Sequence, residues 1–272
     1  MCIAYLAIGT HPDWPLFIAA NRDEFHHRPT VPARPDTLGP GIIAGIDLQG
    51  QGSWLGMTKQ GRYALITNYR DPARLIPDAP TRGQLVSRFL QSDMTPQAYA
   101  GQVQRGSQAY NGFNLIVGDL HDARYVGNRT GQAQPASLEP GRYVLSNHLL
   151  DTPWPKAQRL RNALDAFPVN MLERSLTEVF EILQDETTAR DDMLPRTGLS
   201  LERERLLSSP FIVSAEYGTR CSTVIAVHAS GQALFSEVSY TPAGTIARRH
   251  DWPFDICPQE TSDHQVASST HN

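Results

Sequence analysis

Cys2 is the residue whose position first suggests chemistry, because removal of Met1 would make it the N-terminal residue. Its thiol and its α-amine would then belong to one residue. An α-amine titrates near pH ~7.7 and a free thiol near ~8.5, so the amine can take the thiol proton at neutral pH. Such a residue is a nucleophile that carries its own general base. The alternative is a small buried residue that begins a core strand, since free cysteine is often buried.

A charged cluster follows the second apolar run, in the segment AANRDEF at 19–25. If the first two strands are neighbours, Arg22, Asp23 and Glu24 lie near Cys2. An arginine beside a thiol favours the thiolate, and a carboxylate beside an ammonium holds an α-amine and tunes its pKa. The alternative is a solvated loop entry, where polar residues are common.

Three further polar residues stand at the ends of predicted strands. Asn68 closes YALITN, and Asn147 closes RYVLSN. Side-chain amides at such positions can donate hydrogen bonds to a developing oxyanion, although asparagine is also an ordinary turn residue. Arg220 enters the strand YGTRCSTV, where it could neutralise an acidic substrate group or lie beside the nucleophile. The alternative for Arg220 is a surface arginine.

The composition favours a globular protein that binds no nucleic acid. Hydrophobic residues make up 40% of the chain, which is enough for a sizeable core. The net charge of −4 and the pI of about 6.1 provide no basic field for phosphates. The apolar start has no basic flank and stops at Pro12. Neither a signal peptide nor a membrane span is therefore predicted, and a cytoplasmic location is expected.

Motifs of several common enzyme classes are missing from the sequence. It contains no G-x-S-x-G elbow, no H-E-x-x-H, no P-loop and no G-x-G-x-x-G. Three widely spaced cysteines without C-x-x-C argue against a disulfide framework and a zinc site. His26 and His27 would point to opposite faces of a strand, so no metal site is predicted. Cys257-Pro258 resembles a short element found where a thiolate binds haem, but one dipeptide is weak evidence.

Apolar and β-branched runs between turn residues predict strands, and apolar positions at helical spacing predict helices. The predicted strands are 2–8, 16–22, 53–58, 62–69, 113–119, 123–128, 142–147, 221–228 and 232–239. The predicted helices are 82–91, 95–104, 155–166 and 173–184. The first two strands are apolar on both faces, which is typical of central strands covered on both sides. Strands first and helices gathered in the middle indicate an α+β protein.

Loops and one domain complete the predicted organisation. Residues 28–41 carry four prolines and predict a long surface loop, and 185–200 predict another. A final hairpin is predicted to turn at Ser230-Gly231. We expect a single domain over 1–257 and a disordered tail over 258–272, where apolar residues are few.

These residues make the chain resemble the NRDE family, also called the transport and Golgi organisation protein 2 family. The resemblance covers nearly the whole chain except the tail. It rests on MCI at the start, AANRDEF with Arg28-Pro29, SWLG at 53–56, TNY at 67–69, RGQLV at 82–86, YNGFNL at 110–115, LSN at 145–147, TPWPK at 152–156 and YGTRCST at 217–223.

The family is similar to N-terminal-nucleophile hydrolases of the bile-acid hydrolase and acid-ceramidase type, and this implies a four-layer αββα sandwich. It also implies site roles: Cys2 as nucleophile, Arg22 beside it, Asp23 at the α-amine, Asn68 and Asn147 near the oxyanion, and Arg220 as a late arginine. Those hydrolases separate the early arginine and aspartate by two residues. Glu24 could therefore supply the carboxylate instead of Asp23.

Two functions are consistent with this sequence. The first is an amidohydrolase that cleaves a linear, non-peptide amide through a thioester and requires no cofactor. The second is a non-enzymatic carrier of haem or an acyl lipid in the same cleft, with Arg22 or Arg220 meeting the ligand's carboxylate. It is motivated by the family's association with haem trafficking and lipid metabolism. The sequence leaves the oligomeric state open.

Overall fold

The computed structural model describes residues 2–257, except the side chains of residues 171, 173 and 174. The predicted disordered tail, 258–272, and Met1 lie outside the described residues. The strands of the described part are β1 Cys2–Ile8, β2 Leu16–Phe25, β3 Thr30–Pro35, β4 Ile42–Asp47, β5 Leu55–Thr58, β6 Tyr63–Asn68, β7 Phe113–Gly118, β8 Ala123–Gly127, β9 Ala136–Ser137, β10 Gly141–Leu145, β11 Tyr217–Val227, β12 Gln232–Tyr240 and β13 Ile246–Asp255. The α-helices are α1 Gly83–Leu90, α2 Pro96–Gly106, α3 Pro155–Ala166, α4 Leu172–Leu183 and α5 Leu201–Leu206.

The strands form two antiparallel sheets. The first sheet has the order β10-β1-β2-β11-β12-β13, and the second has the order β3-β4-β5-β6-β7-β8-β9. The second sheet follows chain order throughout, with α1 and α2 inserted between β6 and β7. The first sheet instead assembles the start of the chain, its middle and its end around β1 and β2.

Three apolar layers hold the sheets and helices together. Side chains of both sheets, such as Ile18, Leu65 and Phe235, form the core between the sheets. The outer face of the first sheet packs against α3 and α4, and the outer face of the second sheet packs against α1 and α2. The predicted α+β fold with four αββα layers is therefore confirmed.

The central strands β1 and β2 bury both of their faces, as their sequences predict. In β1, Ile3 and Tyr5 face the helices, whereas Ala4 and Leu6 face the second sheet. Successive side chains of a strand point to opposite faces, so an apolar run with no alternation fits only a strand covered on both sides. The same alternation places successive polar residues at the end of β2 on opposite faces of the sheet.

The predicted loop at 28–41 is wrong over part of its length, because it contains β3. Pro32 and Pro35 lie in this strand, and proline cannot donate to a strand ladder. β3 is an edge strand that pairs with β4 alone, and its register shifts between Val31 and Arg34. Edge strands and bulges are the places where a sheet accepts proline.

The hairpin predicted at Ser230-Gly231 is present, but it is not the final element of the fold. That turn joins β11 to β12, but a further strand, β13, follows and pairs with β12. β13 is a mostly exposed edge strand that carries Arg248, Arg249 and His250. Its sequence lacks the apolar alternation by which the other strands were found. The strand β4 and the short helix α5 were missed as well.

None of the helices formed by residues 2–257 has the length and apolar character needed to cross a lipid bilayer.

Trp54 occupies a position between the sheets that depends on a glycine. A Cβ atom added to Gly45 of β4 would lie 2.1 Å from the Trp54 ring. The ring therefore rests directly on the β4 backbone. The Arg22 guanidinium also lies over this ring, so the packing bears on the charged cluster at the end of β2.

We expect Gly45→Ala to lower the free energy of unfolding by about 1–3 kcal/mol, because the buried ring must move to admit a methyl group. Gly101→Ala, in the middle of α2, is the matched control. Its Cβ would meet only an arginine side chain at 3.7 Å, and glycine in a helix interior is about 0.5–1 kcal/mol worse than alanine. Urea denaturation should show opposite shifts, and equal midpoints for wild type and Gly45→Ala would contradict the packing argument.

Candidate functional site

The candidate site forms where β1 begins and β2 ends. The two strands are antiparallel neighbours, and their register places Cys2 opposite Arg22. On the other side of β2, Arg22 lies opposite Cys221 of β11. The predicted proximity of the charged cluster to Cys2 therefore follows from the strand register.

Arg22 and Asp23 are consecutive in a strand and so face opposite layers. The Arg22 guanidinium lies over the Trp54 ring, 4.4 Å from its centroid, and 3.4 Å from an Asp47 oxygen. Asp23 lies on the face of β2 that α3 covers, and its carboxylate accepts a hydrogen bond of 2.7 Å from Thr219 Oγ1. Both side chains are buried, with exposed fractions of 4% and 1%.

A cavity of about 240 Å³ opens beside Cys2. Cys2, Arg22, Asp23 and Asn68 line it together. The other charged lining residues are Glu24, Arg28, Asp47 and Arg82. The structure thus brings four of the six predicted site residues to the wall of one cavity.

Burial raises the pKa of the Cys2 thiol, and the negative charge of Asp23 raises it further. Arg22 and the backbone N–H of Asp23 act in the opposite direction, but burial is the larger effect. Arg22 therefore favours the thiolate, as expected, but the effect of burial on the thiol pKa is larger. Because a thiol with a raised pKa keeps its proton at neutral pH, this nucleophile needs a base.

The two candidate carboxylates differ in their surroundings. Glu24 is half-buried; its carboxylate accepts from the Phe25 backbone N–H and lies 3.7 Å from Arg28 Nε. Asp23 is fully buried, and burial raises its pKa against the lowering effects of Lys156, Thr219 and Arg22. Of the two, Asp23 is the one whose charge acts on the Cys2 thiol.

Asn68 and Asn147 are linked to each other. The Asn147 side chain is fully buried, and its Nδ2 donates to the Asn68 carbonyl oxygen over 3.1 Å. The neighbouring Ser146 Oγ donates to the Cys2 carbonyl oxygen over 3.2 Å. Asn147 therefore lies directly behind the Asn68 segment of the cavity wall and close to Cys2.

Arg220 lies away from the cavity wall. It is the additional residue of a bulge in β11, where the register with β2 shifts between Thr219 and Cys221. Its Nη1 donates to the carbonyl oxygens of Phe25, His26 and Arg28, at 2.9, 3.3 and 3.2 Å. The side chain thus fixes the turn after β2 that carries Arg28, and the geometry places it on the backbone rather than on a substrate.

Lys156 is a site residue that the sequence reasoning did not single out. It lies in the first turn of α3, is 1% exposed, and donates to Asn147 Oδ1 over 3.3 Å. Burial lowers its pKa to about 8; the Arg70 charge adds to this effect, and Asp23, Cys2 and Glu204 oppose it. One signal was available in the sequence. Lys59 and Lys156 are the two lysines of the chain, and every other Lys or Arg position is an arginine.

A buried ion pair continues this polar cluster. Arg70 Nη1 lies 2.6 Å from Glu204 Oε2, and both side chains are 4% exposed. Glu204 also accepts from the backbone N–H of Thr197, and the Arg70 guanidinium lies over the Trp154 ring. Breaking a buried pair leaves an uncompensated charge, so this pair fixes α5 against the segment after β6.

Among the side chains described within residues 2–257, no three His, Cys, Asp or Glu groups come close enough to hold a metal ion. Cys257, of the Cys-Pro dipeptide, is exposed and is not among the residues that line the cavity. Pro258 lies outside the described residues.

Comparison with known proteins gives matches over most of the chain. The family model described as Transport and Golgi organisation 2 matches residues 1–242. The Transport and Golgi organization 2 homolog of Mus musculus is 36% identical over 260 residues, which cover 88% of this chain and 93% of the mouse protein.

Two solved structures resemble the fold loosely. Penicillin V acylase from Agrobacterium tumefaciens has a TM-score of 0.46 and 13% identity, covering 94% of this chain and 86% of its own. A mutant conjugated bile acid hydrolase from Clostridium perfringens has a TM-score of 0.49 and 10% identity, covering 94% and 92%. Likenesses at this level identify neither a substrate nor a mechanism.

The buried Lys156 charge predicts a pH-dependent effect of Lys156→Met on stability. Below about pH 8 the lysine is protonated in both states, so its burial destabilises wild type fully. As pH rises from about 8 towards the ordinary value of 10.5, the folded chain releases this proton while the unfolded chain keeps it. The unfolded state then binds more protons, so wild type gains up to about 1.4 kcal/mol per pH unit from this group.

We therefore expect Lys156→Met to be more stable than wild type at pH 7, with an advantage that shrinks by about 2 kcal/mol at pH 9.5. Urea denaturation of both proteins at both pH values measures the change. Lys59→Met, at an exposed position, should leave the two values unchanged. An advantage of Lys156→Met that is equal at pH 7 and pH 9.5 would show that Lys156 does not lose its proton in this range.

Proposed function

This chain belongs to the Transport and Golgi organisation 2 family, and we propose that it is an N-terminal cysteine amidohydrolase. In this proposal it cleaves a linear, non-peptide amide through a thioester on Cys2 and uses no cofactor. The observation that carries the proposal is the cavity whose wall contains Cys2, Arg22, Asp23 and Asn68.

The first step requires the α-amine of Cys2, exposed by removal of Met1. The neutral amine takes the thiol proton, and Sγ forms a bond to the amide carbonyl carbon. The raised thiol pKa makes this base necessary. The buried Asp23 carboxylate holds the ammonium that results, since an opposite charge nearby favours the charged form.

The tetrahedral intermediate carries its negative charge on the former carbonyl oxygen. Asn68, on the cavity wall, donates to this oxygen. Asn147 uses one of its two N–H groups on the Asn68 carbonyl and has the second for the oxyanion. Fixed donors of this kind typically contribute more than any other single interaction in acyl transfer.

Collapse of the intermediate breaks the carbon–nitrogen bond. The ammonium of Cys2 gives its proton to the leaving amine, and a thioester remains. Water then attacks the thioester as the α-amine accepts its proton, and the carboxylic acid leaves as the thiol is restored. The balance is one amide and one water consumed, and one acid and one amine released.

The shape of the site supports an amide of an apolar acid with a small polar amine. The cavity beside Cys2 is lined largely by charged and polar residues. A second hollow of about 160 Å³ shares Glu24 and Asn68 with it and is otherwise lined mostly by apolar side chains, among them Phe25, Leu206 and Leu207. An acyl chain in this hollow would place its carbonyl carbon near Asn68.

The proposal is tested by mass spectrometry of the purified chain. We expect an intact mass without Met1 and, after incubation with N-dodecanoyl amides of several amines, an added dodecanoyl group on Cys2. Cys2→Ala should lose both the adduct and amide hydrolysis. Cys257→Ala, which removes an exposed thiol, should retain them.

Retention of Met1 would remove the base and overturn the mechanism. Hydrolysis by Cys2→Ala at the wild-type rate would also exclude it, because the nucleophile would then lie elsewhere. The amine that gives the fastest turnover identifies the leaving group that the cavity accepts.

Carriage of haem or an acyl lipid is the second candidate. It is favoured by three arginines on the cavity wall, Arg22, Arg28 and Arg82, because guanidinium groups bind carboxylates well. Against it, the cavity is smaller than the ~300–1,000 Å³ of typical ligand pockets, so a macrocycle would lie partly outside. Titration with haemin tests the haem version, and the absence of a saturable absorption shift would leave that version without support.

A further inference from the structure

We propose that Lys156 is a positioning residue that holds the Asn147 amide in the orientation needed to stabilise an oxyanion. This inference rests on the proposed amidohydrolase function. It adds a residue from α3 to a site otherwise built from strand ends.

The argument begins with the two ends of the Asn147 amide. Its Oδ1 accepts from Lys156 Nζ at 3.3 Å and lies 3.3 Å from Ser146 Oγ, whose hydroxyl can donate or accept, and its Nδ2 donates to the Asn68 carbonyl oxygen at 3.1 Å. An ammonium can only donate and a carbonyl oxygen can only accept. If the amide turned over, donor would face donor at one end and acceptor would face acceptor at the other. Lys156 and Asn68 together therefore allow one orientation.

That orientation matters because Asn147 lies beside the nucleophile. β10 pairs with β1 so that Leu145 is opposite Ala4, and continuing this register places Asn147 opposite Cys2. The hydrogen bond from Ser146 Oγ to the Cys2 carbonyl agrees with this placement. Lys156 holds the Asn147 amide at its oxygen and thereby fixes the direction of the Nδ2–H groups at the other end, beside Cys2.

The position of Lys156 is unfavourable for a residue with only a packing role. Its side chain is 1% exposed, and its Nζ donates over 3.3 Å to an uncharged group, the Asn147 Oδ1. It also stands in the first turn of α3, where the helix dipole disfavours a cation. An apolar side chain would fill this space at lower cost in stability. The arrangement is explained if the Lys156 charge acts on the Asn147 amide.

The groups that face Lys156 come from several elements. Cys2 and Asp23 act on it from β1 and β2, Arg70 from the segment after β6, and Glu204 from α5. In the protonated form, the lysine withdraws electron density from the Asn147 carbonyl. This makes the Nδ2–H group a stronger donor to a negative oxygen.

Activity measurements test the inference with three variants, using the dodecanoyl amide that wild type turns over fastest. We expect Lys156→Met to lower kcat by about 10–100-fold with little change in KM, because an oxyanion donor acts mainly in the transition state. Lys156→Arg should restore most of kcat, since it keeps a donor and a charge. Lys59→Met is the matched control and should equal wild type. An unchanged kcat in Lys156→Met would overturn the inference.

The pH profile separates positioning from a merely structural role. Wild-type kcat should fall as pH rises through the lysine's titration near 8, whereas Lys156→Arg, which keeps its charge, should lack this fall. Thermal unfolding at pH 7 should show Lys156→Met folded and no less stable than wild type. Loss of kcat that merely parallels loss of folded protein would count against positioning.

A spectroscopic readout keeps this inference separate from the proposed function. The Asn147 side-chain N–H signals in a ¹⁵N NMR spectrum, identified by their loss in Asn147→Asp, should shift as Lys156 titrates and should lose this pH dependence in Lys156→Met. If wild type hydrolyses no amide, the proposed function fails, and this spectrum still decides whether Lys156 holds Asn147. Signals that are insensitive to Lys156→Met would overturn the contact.

Discussion

The antiparallel register between β1 and β2 is the constraint on which the rest of the site depends. It sets Cys2 opposite Arg22 and leaves Asp23 one position further along β2. Strand alternation then directs Arg22 towards Trp54 and the second sheet, and Asp23 towards the helical layer that contains Lys156. A shift of the strand pairing by one residue would exchange these faces. Arg22 would then face the helical layer, and Asp23 would face the second sheet. The two layers that enclose the sheet thus become the two sides of one site.

Burial, rather than pairwise charge, determines the protonation of this site. It raises the pKa of Cys2 and Asp23 and lowers that of Lys156, and in each case the opposite charges nearby oppose the shift without reversing it. Each shift favours the neutral form of the group relative to the same group in water. The pKa of the Asp23 carboxyl and the pKa of the Lys156 ammonium are thereby brought closer to neutral pH, which is the direction that acid–base chemistry requires. A solvated cluster of the same residues would lack this property.

Much of the fold and part of the site followed from local sequence patterns. Apolar runs located β1 and β2, and their adjacency brought Arg22 to Cys2. The edge strands β3 and β13 were missed because exposed edges tolerate proline and charge, which are the signals by which loops are recognised. Lys156 was missed for a different reason. Its contact with Asn147 depends on how α3 packs against β10, and no residue spacing reveals that packing. The choice between Asp23 and Glu24 likewise required knowledge of which face each residue occupies.

The bulge in β11 separates what the strand ladder needs from what the turn after β2 needs. Three residues of β11, from Thr219 to Cys221, span the same length as two residues of β2, and both end residues keep a partner: Thr219 with Asp23, and Cys221 with Arg22. Deleting Arg220 would restore a regular ladder and keep both pairings. It would also remove the guanidinium that donates to three carbonyl oxygens of the turn after β2, so the extra residue serves the shape of this turn and not the pairing of the strands.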